Sequence, residues 1–317
     1  MKKEDLRIIF MGTPDFAVAT LKTLVEAQHH IVGVITAPDR PAGRGRKLNE
    51  SAVKVYAKSQ NLNVLQPTNL KNEDFLADLK SLNANLQIVV AFRMLPEAVW
   101  SMPKHGTFNL HASLLPDYRG AAPIHWAIIN GETTTGVTTF FIDEKIDTGA
   151  VILQEQIAIA PNETVGSLHD RLMELGSKLV LNTVKHIENG DVNTTIQPKH
   201  DNLKTAYKLD NDNCKIDWNE DVQTIYNKIR GLNPFPSAWC YLDNGDEPIR
   251  VKLYDIDLNM DTPKKDAGHI TVLNNELFVA TKNGSIQINE MQLPGKRKMD
   301  TKSLLNGYDF KTDAKML

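Results

Sequence analysis

Short runs of β-branched residues alternate with helical patterns through the first half of the chain, and this alternation most constrains the fold. Residues 6–10 and 31–36 have the pattern of strands, and residues 15–27 between them place Leu21 and Val25 on one helical face. A strand, a helix and a second strand form a βαβ unit, whose strands are parallel. We therefore predict a doubly wound, mostly parallel sheet with its ligand crevice at the carboxyl ends of the strands.

The same alternation continues to about residue 189. We predict further strands near Val64 and at residues 86–91, 107–110, 137–141 and 150–156, and further helices at residues 51–60, 73–82 and 164–188. Residues 190–206 are polar, lack apolar periodicity and have the character of a linker. The first domain is therefore expected to span residues 1–189.

Residues 207–317 are rich in short strands. We predict one helix at residues 222–230 and strands at residues 238–242, 250–254, 270–273, 277–281 and 286–288. Short strands of this kind, separated by turns, typically close into a small β-barrel. The predicted fold class is α/β: a Rossmann-like, doubly wound, mostly parallel sheet followed by a smaller C-terminal β-barrel domain of the OB-like type.

Composition agrees with two packed domains and excludes several classes of protein. The chain has 317 residues, of which 41% are hydrophobic and 24% are charged, so it is not expected to be disordered or of low complexity. Its apolar runs fall far short of the about 20 residues that a membrane span needs, and its N-terminus lacks the features of a signal peptide. We therefore expect a cytoplasmic location. The formal net charge of −3 means that any contact with nucleic acid must depend on local patches.

The chain has two cysteines, Cys214 and Cys240. No second pair of cysteines completes a tetrahedral zinc site, and one disulfide would be too few to stabilise a chain of this length. We expect free, buried thiols and no metal.

Gly12-Thr13-Pro14 follows the first predicted strand, where a dinucleotide-binding protein has its glycine-rich turn. Pro14 and Phe16 stand where that pattern has glycines, so a nicotinamide or flavin site is not expected. A tight turn that leads into a helix is the favoured interpretation, ahead of a direct contact with a ligand.

The segment from Phe108 to Pro116 carries the residues best suited to chemistry. Asn109 and His111 are two positions apart on a predicted strand and therefore face the same side. An asparagine amide can donate to a developing oxyanion, and a histidine can transfer a proton near neutral pH, as acyl transfer requires. Spacing alone favours a structural histidine over a catalytic one, and both interpretations stay open at this point.

A later motif, Asp147-Thr148-Gly149, changes this balance. Together with Asn109 and His111 it resembles the signature of the folate-dependent formyltransferase family, which couples N-x-H-x-S-L-L-P to a later D-T-G. Further motifs that resemble this family occur at residues 12–16, 38–45, 119–123, 216–218, 233–236 and 294–299. The resemblance covers nearly the whole chain, and it is strongest to the members that formylate methionine on initiator tRNA.

The resemblance implies a reaction at translation initiation. The cosubstrate 10-formyltetrahydrofolate is implied to give its formyl group to the α-amine of the methionine carried by methionyl initiator tRNA. Asn109 and His111 are implied to stabilise the oxygen of the tetrahedral intermediate, and Asp147 to orient His111 or to move a proton through water. No membrane and no obligate protein partner is implied.

The resemblance also assigns contacts with folate. The residues concerned are Phe92, Arg93, Ser113, Leu114, Leu115 and Pro116. Ser113 is interpreted as structural, because it lacks the strand-to-helix elbow of a nucleophilic serine. Where the family has an A-Y-G-x-I-L-P stretch at the pterin, this chain is one residue shorter and has Arg93 at the place of the glycine.

Composition alone is explained at least as well by solvent-exposed charged loops, but the resemblance implies that basic side chains in two regions contact tRNA phosphates. A loop in the first domain carries Arg40, Arg44, Arg46 and Lys47, of which Arg44 is the best candidate for the acceptor stem. The predicted contacts in the second domain are Lys208, Lys296, Arg297 and Lys298, which would form a stripe on the barrel.

Three other functions fit part of this pattern. The acceptor of the formyl group could be an amino sugar or another small amine instead of tRNA. The chain could also be a folate-binding or RNA-binding module without turnover, although Asn109, His111 and Asp147 are all present. A metal hydrolase built on His105, His111 and Asp147 is a third alternative, but the sequence has no close ligand pair such as H-E-x-x-H.

Overall fold

Backbone packing in the computed structural model divides the chain into two units. The first unit comprises Met1–Gly120, Thr135–Ile157 and His169–Thr205, and the second comprises Ala121–Thr134, Ala158–Leu168 and Ala206–Leu317. The structure describes residues 5–42, 47–198, 201–259 and 265–317. This division does not test whether residues 1–189 and 207–317 fold as separate domains, which stays a prediction.

The first unit contains the predicted alternation of strands and helices. Its strands are β1 (Arg7–Gly12), β2 (His30–Ile35), β3 (Arg40–Ala42), β4 (Lys47–Asn49), β5 (Val64–Leu65), β6 (Leu86–Val90), β7 (Thr107–His111), β8 (Arg119–Gly120), β9 (Thr134–Phe141) and β10 (Val151–Ala158). Its helices before residue 120 are α1 (Asp15–Glu26), α2 (Ala52–Ser59), α3 (Glu73–Ser81) and α4 (Glu97–Trp100).

Seven of these strands form one sheet in the order β10-β9-β7-β6-β1-β2-β5. β1 is parallel to β2 and to β6, β2 is parallel to β5, and β6 is parallel to β7. β9 is antiparallel to β7. The predicted mostly parallel, doubly wound sheet is confirmed, and the order of its strands reverses next to β1. In open α/β sheets, ligands bind at the carboxyl ends of the strands around such a reversal.

Burial explains why the first strands read as continuous apolar runs. Ile9 and Met11 of β1 and Val89 of β6 belong to one buried cluster, which also contains Phe75 and Leu79 of α3. Strands of a parallel sheet are covered by helices on both faces, so they lack the alternation of apolar and polar residues that a half-exposed strand shows.

Gly12 ends β1 and allows α1 to approach the sheet. A Cβ atom at this position would lie 2.5 Å from Ala17 Cβ and 3.0 Å from the carbonyl oxygen of Val90. The absence of a side chain is therefore required by packing, which supports the interpretation of this segment as a turn leading into a helix.

The second unit contains the following elements: α5 (Pro123–Ile129), α7 (Val222–Leu232), β12 (Ala238–Asp243), β13 (Ile249–Leu253), β14 (Ile256–Asn259), β15 (Ile270–Leu273), β16 (Glu276–Ala280), β17 (Ser285–Ile288), β18 (Glu290–Gln292), β19 (Met299–Asp300), α8 (Thr301–Leu305) and β20 (Lys315–Met316). Helix α6 (Val165–Asn189) and strand β11 (Thr205–Ala206) have residues in both units, and so do β9 and β10, each of which has one end residue in the second unit.

The strands of the second unit form two sheets, in the orders β19-β18-β13-β12-β20 and β14-β17-β16-β15. Both sheets contribute to one buried cluster, to which β12 contributes Cys240 and β16 contributes Val279. Hydrogen bonds from Ile270 to Ala314 and from Met316 to Gly268 join β20 to the residues around the start of β15. Antiparallel strands therefore surround a common core, as predicted for this half of the chain.

The helices and strands predicted from periodicity are present with small shifts at their ends. The predicted helix at residues 164–188 is α6, and the predicted helix at residues 222–230 is α7. Sequence patterns missed the short elements: α4, α5, α8, β3, β4, β8, β11, β14 and β18 to β20. These elements have two to seven residues, which is too short for periodicity to distinguish them from loops.

In the described part of the chain, no helix has the length and apolar character that crossing a membrane requires.

Burial makes both cysteines unreactive in the folded protein. Desolvation raises the pKa of the fully buried Cys240 thiol to about 12, and it also raises the pKa of Cys214. The thiolate is the reactive form, and at about pH 8 only roughly one Cys240 thiol in ten thousand is ionised.

We predict that iodoacetamide labels neither cysteine of the native protein at this pH, whereas both react after unfolding in urea. Rapid labelling of the native chain, measured by mass spectrometry, would contradict this prediction.

Candidate active site

Strand β7 places Asn109 and His111 at the carboxyl end of the sheet. Asn109 lies opposite Val89 of β6 and Phe140 of β9, and His111 ends the strand opposite Thr138. His111 is buried, whereas Asn109 is half-buried. Within the described residues, the side-chain amide of Asn109 makes no hydrogen bond. Since residues two positions apart face the same side of a strand, this amide and the imidazole can contact the same ligand.

The two ring nitrogens of His111 have different surroundings. His111 Nε2 lies 2.8 Å from the backbone carbonyl oxygen of Tyr118, and Nδ1 lies 3.8 Å from Oδ2 of Asp147. A carbonyl oxygen only accepts hydrogen bonds, so Nε2 is the nitrogen that carries the hydrogen in the neutral ring. Nδ1 is therefore available to accept a proton, and the carboxylate of Asp147 would stabilise the resulting imidazolium.

The carboxylate of Asp147 is held by the backbone. Its Oδ2 accepts a hydrogen bond of 2.9 Å from the amide of Gly120. Asp147 itself has a φ of 55°, in the left-handed region that residues other than glycine rarely adopt. The surrounding contacts therefore hold this carboxylate in one place next to His111.

The tight loop that carries Asp147 requires a glycine at residue 149. A Cβ atom on Gly149 would lie 1.7 Å from the carbonyl oxygen of Phe141. At the start of the same loop, the carboxylate of Asp143 accepts hydrogen bonds from the Lys145 amide at 3.0 Å and the Thr148 hydroxyl at 2.7 Å. The D-T-G motif thus combines a fixed carboxylate with a close approach of two backbone segments.

Residues 113–116 form the turn after β7, and Ser113 is buried inside it. The Ser113 hydroxyl donates to the carbonyl oxygen of Asp117 at 2.7 Å, and the Ser113 carbonyl accepts from the Thr138 hydroxyl. Gln154 donates to the carbonyl oxygen of Leu115 at 2.8 Å. The hydroxyl of Ser113 is therefore engaged within the turn, in agreement with a structural role. Leu114 and Pro116 are half-buried, and Leu115 is buried.

Phe92 and Arg93 leave the sheet next to His111, because Val90 at the end of β6 pairs with Leu110 of β7. Phe92 packs against the apolar cluster of the first unit. The guanidinium of Arg93 donates to the backbone carbonyl oxygens of Pro67 and Thr68, and its Cζ lies 5.6 Å from the centre of the Phe92 ring. Burial and the nearby charge of Arg40 lower the pKa of Arg93.

Only part of the predicted tRNA-binding loop is described by the structure. Arg40 is exposed on β3, and β3 pairs with β4 in an antiparallel hairpin. Arg44 and Arg46 lie outside the described residues, as does the side chain of Lys47. The base of the hairpin is anchored by Asp39, whose carboxylate contacts Lys54 Nζ at 2.5 Å. The hydrogen bond from Lys54 lowers the pKa of Asp39.

The predicted tRNA contacts of the second unit are all exposed. Lys208 lies just after β11, and Lys296 and Arg297 lie in the turn between β18 and β19. Lys298 differs from them, because its Nζ lies 2.8 Å from Oε2 of Glu290 and 5.0 Å from the centre of the Tyr254 ring. The charge of Lys298 is thus partly neutralised within the unit.

Sequence reasoning missed Gln197, which lies in the polar segment predicted as a linker. Gln197 is only 6% exposed. Its Nε2 donates to the carbonyl oxygens of Asp147 and Gly149 at 2.9 and 2.8 Å, and its Oε1 accepts from Arg119 at 2.6 Å. Hydrogen bonds to residues about 50 positions away leave no local pattern, so no feature of the single sequence indicated this residue.

Among the described residues, no group of three or more His, Cys, Asp or Glu side chains is arranged to hold a metal ion.

Both parts of the chain match known families. The formyl transferase model matches residues 6–184, and the model of the formyl transferase C-terminal domain matches residues 208–309. The chain is 60% identical over 313 residues to the methionyl-tRNA formyltransferase of Flavobacterium johnsoniae, covering 99% of both chains. It is 50% identical over 321 residues to the methionyl-tRNA formyltransferase of Bacteroides fragilis, covering 100% of this chain and 99% of that protein.

Solved structures with low sequence identity have a similar fold. WlaRD, a sugar 3N-formyl transferase, is 20% identical and has a TM-score of 0.65, covering 93% of this chain and all of that one. HypX from Aquifex aeolicus in complex with tetrahydrofolic acid is also 20% identical, with a TM-score of 0.65 over 95% of this chain. This chain spans 47% of the length of HypX.

The contacts of Gln197 lead to a prediction about the Asp147 loop. Gln197→Met retains the size of the side chain but removes its hydrogen bonds, so we expect a decrease of about 1–3 kcal/mol in the free energy of unfolding. Hydrogen exchange of the amides at residues 143–150 should become faster, since this loop loses two of its contacts. The control is Ile196→Ala, which changes a neighbouring side chain that is 85% exposed. Equal stability and equal exchange in both variants would contradict the prediction.

Proposed function

The chain belongs to the formyl transferase family, and we propose that it transfers the formyl group of 10-formyltetrahydrofolate to the α-amine of methionine on initiator tRNA. This proposal depends on one observation: Asn109, His111 and Asp147 lie together at the carboxyl end of the sheet. The identity of 60% to a methionyl-tRNA formyltransferase along nearly the full length of both chains supports the choice of acceptor.

In the proposed reaction, the neutral amine of the methionyl ester attacks the formyl carbon. A bond forms between the amine nitrogen and this carbon, and the carbonyl oxygen gains negative charge in a tetrahedral intermediate. The amide of Asn109, which makes no hydrogen bond within the described residues, donates to that oxygen. Donors placed where charge develops lower the barrier because they are already oriented before the reaction.

His111 accepts the proton that the attacking amine loses. Its Nδ1 is the nitrogen without a hydrogen in the neutral ring, and the imidazolium is stabilised by Asp147 Oδ2, 3.8 Å away. As the intermediate collapses, the bond between the formyl carbon and N10 of the folate breaks. His111 returns the proton to N10, and the products are formylmethionyl-tRNA and tetrahydrofolate.

We propose that the formyl donor, 10-formyltetrahydrofolate, lies along residues 113–116 and next to Phe92 and Arg93, where strands β6 and β7 end. Arg93 already donates to the carbonyl oxygens of Pro67 and Thr68. Its side chain is therefore proposed to support the wall of the pocket, while the main chain of residues 92 and 93 contacts the pterin.

The proposed contacts with tRNA are Arg40, Arg44, Arg46 and Lys47 in the first half of the chain, and Lys208, Lys296, Arg297 and Lys298 in the second. Cations on exposed loops suit the phosphate backbone, which positions a nucleic acid without reading its sequence. Since charged initiator tRNA is used by ribosomes, the proposed place of action is the cytoplasm.

An acceptor assay tests the proposal directly. Purified protein with 10-formyltetrahydrofolate is incubated with methionyl initiator tRNA, with a charged elongator tRNA, or with a nucleotide-linked amino sugar. We expect formyl incorporation with the initiator tRNA and little with the other two. Preferred formylation of the amino sugar would show that the chain shares the acceptor of its sugar-modifying structural neighbours instead.

The proposed roles predict the effect of three substitutions. Asn109→Ala, His111→Ala and Asp147→Asn should each lower kcat by at least about 10²–10³-fold, because each group acts on charge or protons in the transition state. The melting temperature should change little, and the KM for tRNA should stay within a few-fold. A variant with nearly normal kcat would remove that residue from the mechanism.

The proposed phosphate contacts predict a change in salt dependence. Arg44→Ala, or the replacement of Lys296, Arg297 and Lys298 together by Ala, should weaken tRNA binding. Each lost contact should lower the slope of log affinity against log salt concentration by about one. Because Lys298 is paired with Glu290, we expect the triple variant to lose less than three units of slope. Folate affinity, titrated with the same preparations, should not change. Unchanged affinity and slope in both variants would exclude these residues from tRNA binding.

A further inference from the structure

A group of basic and aromatic side chains covers the outer face of strands β12 and β13. Alternation along β12 places Ala238, Cys240 and Leu242 on one face of the strand, and Trp239 and Tyr241 on the other. Tyr241 is exposed, whereas Trp239 is only 5% exposed and belongs to the buried cluster of the second unit. The members of this group are Lys215, Trp239, Tyr241, Arg250 and Lys252, and we call it the cation–aromatic patch.

Strand register brings the members of the patch together. In the antiparallel pair, Trp239 lies opposite Lys252 and Tyr241 lies opposite Arg250. A β-bridge places Lys215 beside Trp239 on the other side of β12. The patch therefore consists of two aromatic residues with basic residues on both flanks, all on one continuous backbone surface.

The aromatic rings hold the cations in position. The guanidinium carbon of Arg250 lies 3.9 Å from the centre of the Trp239 ring, and Lys215 Nζ lies 5.5 Å from the centre of the Tyr241 ring. Trp239 donates its indole N–H to the carbonyl oxygen of Asn211 at 2.8 Å, so the ring itself is fixed. A guanidinium stacked on a ring keeps its N–H groups directed to the side, where they can still bind an anion.

Acidic side chains close to the patch in the chain accept hydrogen bonds from other groups. Within the described residues, Lys215, Arg250 and Lys252 make no ion pair, in contrast to Lys298. The carboxylate of Asp210 accepts hydrogen bonds from the amides of Asp212 and Asn213. The carboxylate of Asp217 accepts hydrogen bonds from Asn219, which lower its pKa, and the charge of Lys215 adds a smaller contribution. Three cations that make no ion pair within the described residues therefore favour an anionic ligand that extends over several residues.

We propose that the cation–aromatic patch binds the sugar–phosphate backbone of the tRNA substrate. This inference rests on the proposed function and names a surface of the second unit that supports it. Arg250 and Lys252 are two positions apart on one strand, about 7 Å in an extended backbone, which is comparable to the spacing of successive phosphates on one RNA strand. The Tyr241 hydroxyl makes no hydrogen bond within the described residues, and it would donate to a phosphate or to a ribose hydroxyl.

The test compares substitutions in the patch with a matched loss of charge elsewhere. The first variant is Lys215→Gln combined with Lys252→Gln, which removes two charges and leaves the Arg250–Trp239 stack in place. The second variant is Arg250→Ala, which removes the stacked cation. The control is Lys178→Ala, an exposed lysine of α6 that is paired with Glu174 at 2.7 Å. For each protein, binding of methionyl initiator tRNA is measured over a series of salt concentrations, beside the kinetics of formylation.

We expect the double variant to bind tRNA at least about tenfold more weakly at moderate salt, with a slope reduced by about two. Arg250→Ala should weaken binding by about tenfold or more, as expected for one charge-assisted hydrogen bond. The KM for tRNA should rise by the same factors, whereas kcat at saturating tRNA and the affinity for folate should stay at the values of the unchanged protein. Lys178→Ala should match the unchanged protein in every measurement.

Two outcomes separate a failure of the patch proposal from a failure of the proposed function. If the double variant, which retains the stacked arginine and the fold, binds tRNA with unchanged affinity and slope while the natural chain formylates tRNA, the patch is overturned and the proposed function stands. If the natural chain neither binds nor formylates methionyl initiator tRNA, the proposed function fails, and the patch as a tRNA surface fails with it.

Discussion

The candidate site depends on the hydrogen bond between His111 Nε2 and the backbone carbonyl of Tyr118. Because this carbonyl can only accept, the bond assigns the hydrogen of the neutral ring to Nε2 and leaves Nδ1 facing Asp147. Asp147 in turn is held by the Gly120 amide, which follows Tyr118 closely in the chain. One short turn after β7 therefore controls both the orientation of the imidazole and the position of the carboxylate.

The sheet supplies this turn with a rigid support. β7 lies between β6 and β9, so the residues after its carboxyl end are connected to two buried neighbours. The loop of Asp147 leaves β9 and is further held by Gln197. Preorganisation of this kind suits a reaction whose barrier depends on oriented donors, because the groups need not rearrange as charge develops.

The second unit uses charge differently from the first. The net charge of −3 of the whole chain gives no indication of an RNA surface. In the second unit, however, the structure separates paired cations such as Lys298 from the cations of the patch, which make no ion pair among the described residues. Net charge sums over the whole chain, whereas a polyanion responds to the local field of the side chains it touches. The arrangement of β12 and β13 thus decides which basic residues can act together.

Local patterns in the amino-acid sequence predicted the parallel sheet, the long helix α6, and the pair Asn109 and His111 on one strand face, since these features follow periods of two or 3.6 residues. It also determined the family, because the motifs around Asn109 and Asp147 occur with the family's spacing. Three features could be seen only in the folded chain: the hydrogen bonds of Gln197, the tautomer of His111, and the patch on β12 and β13. Each depends on contacts between residues distant in the chain, and such contacts leave no periodic pattern in the order of amino acids.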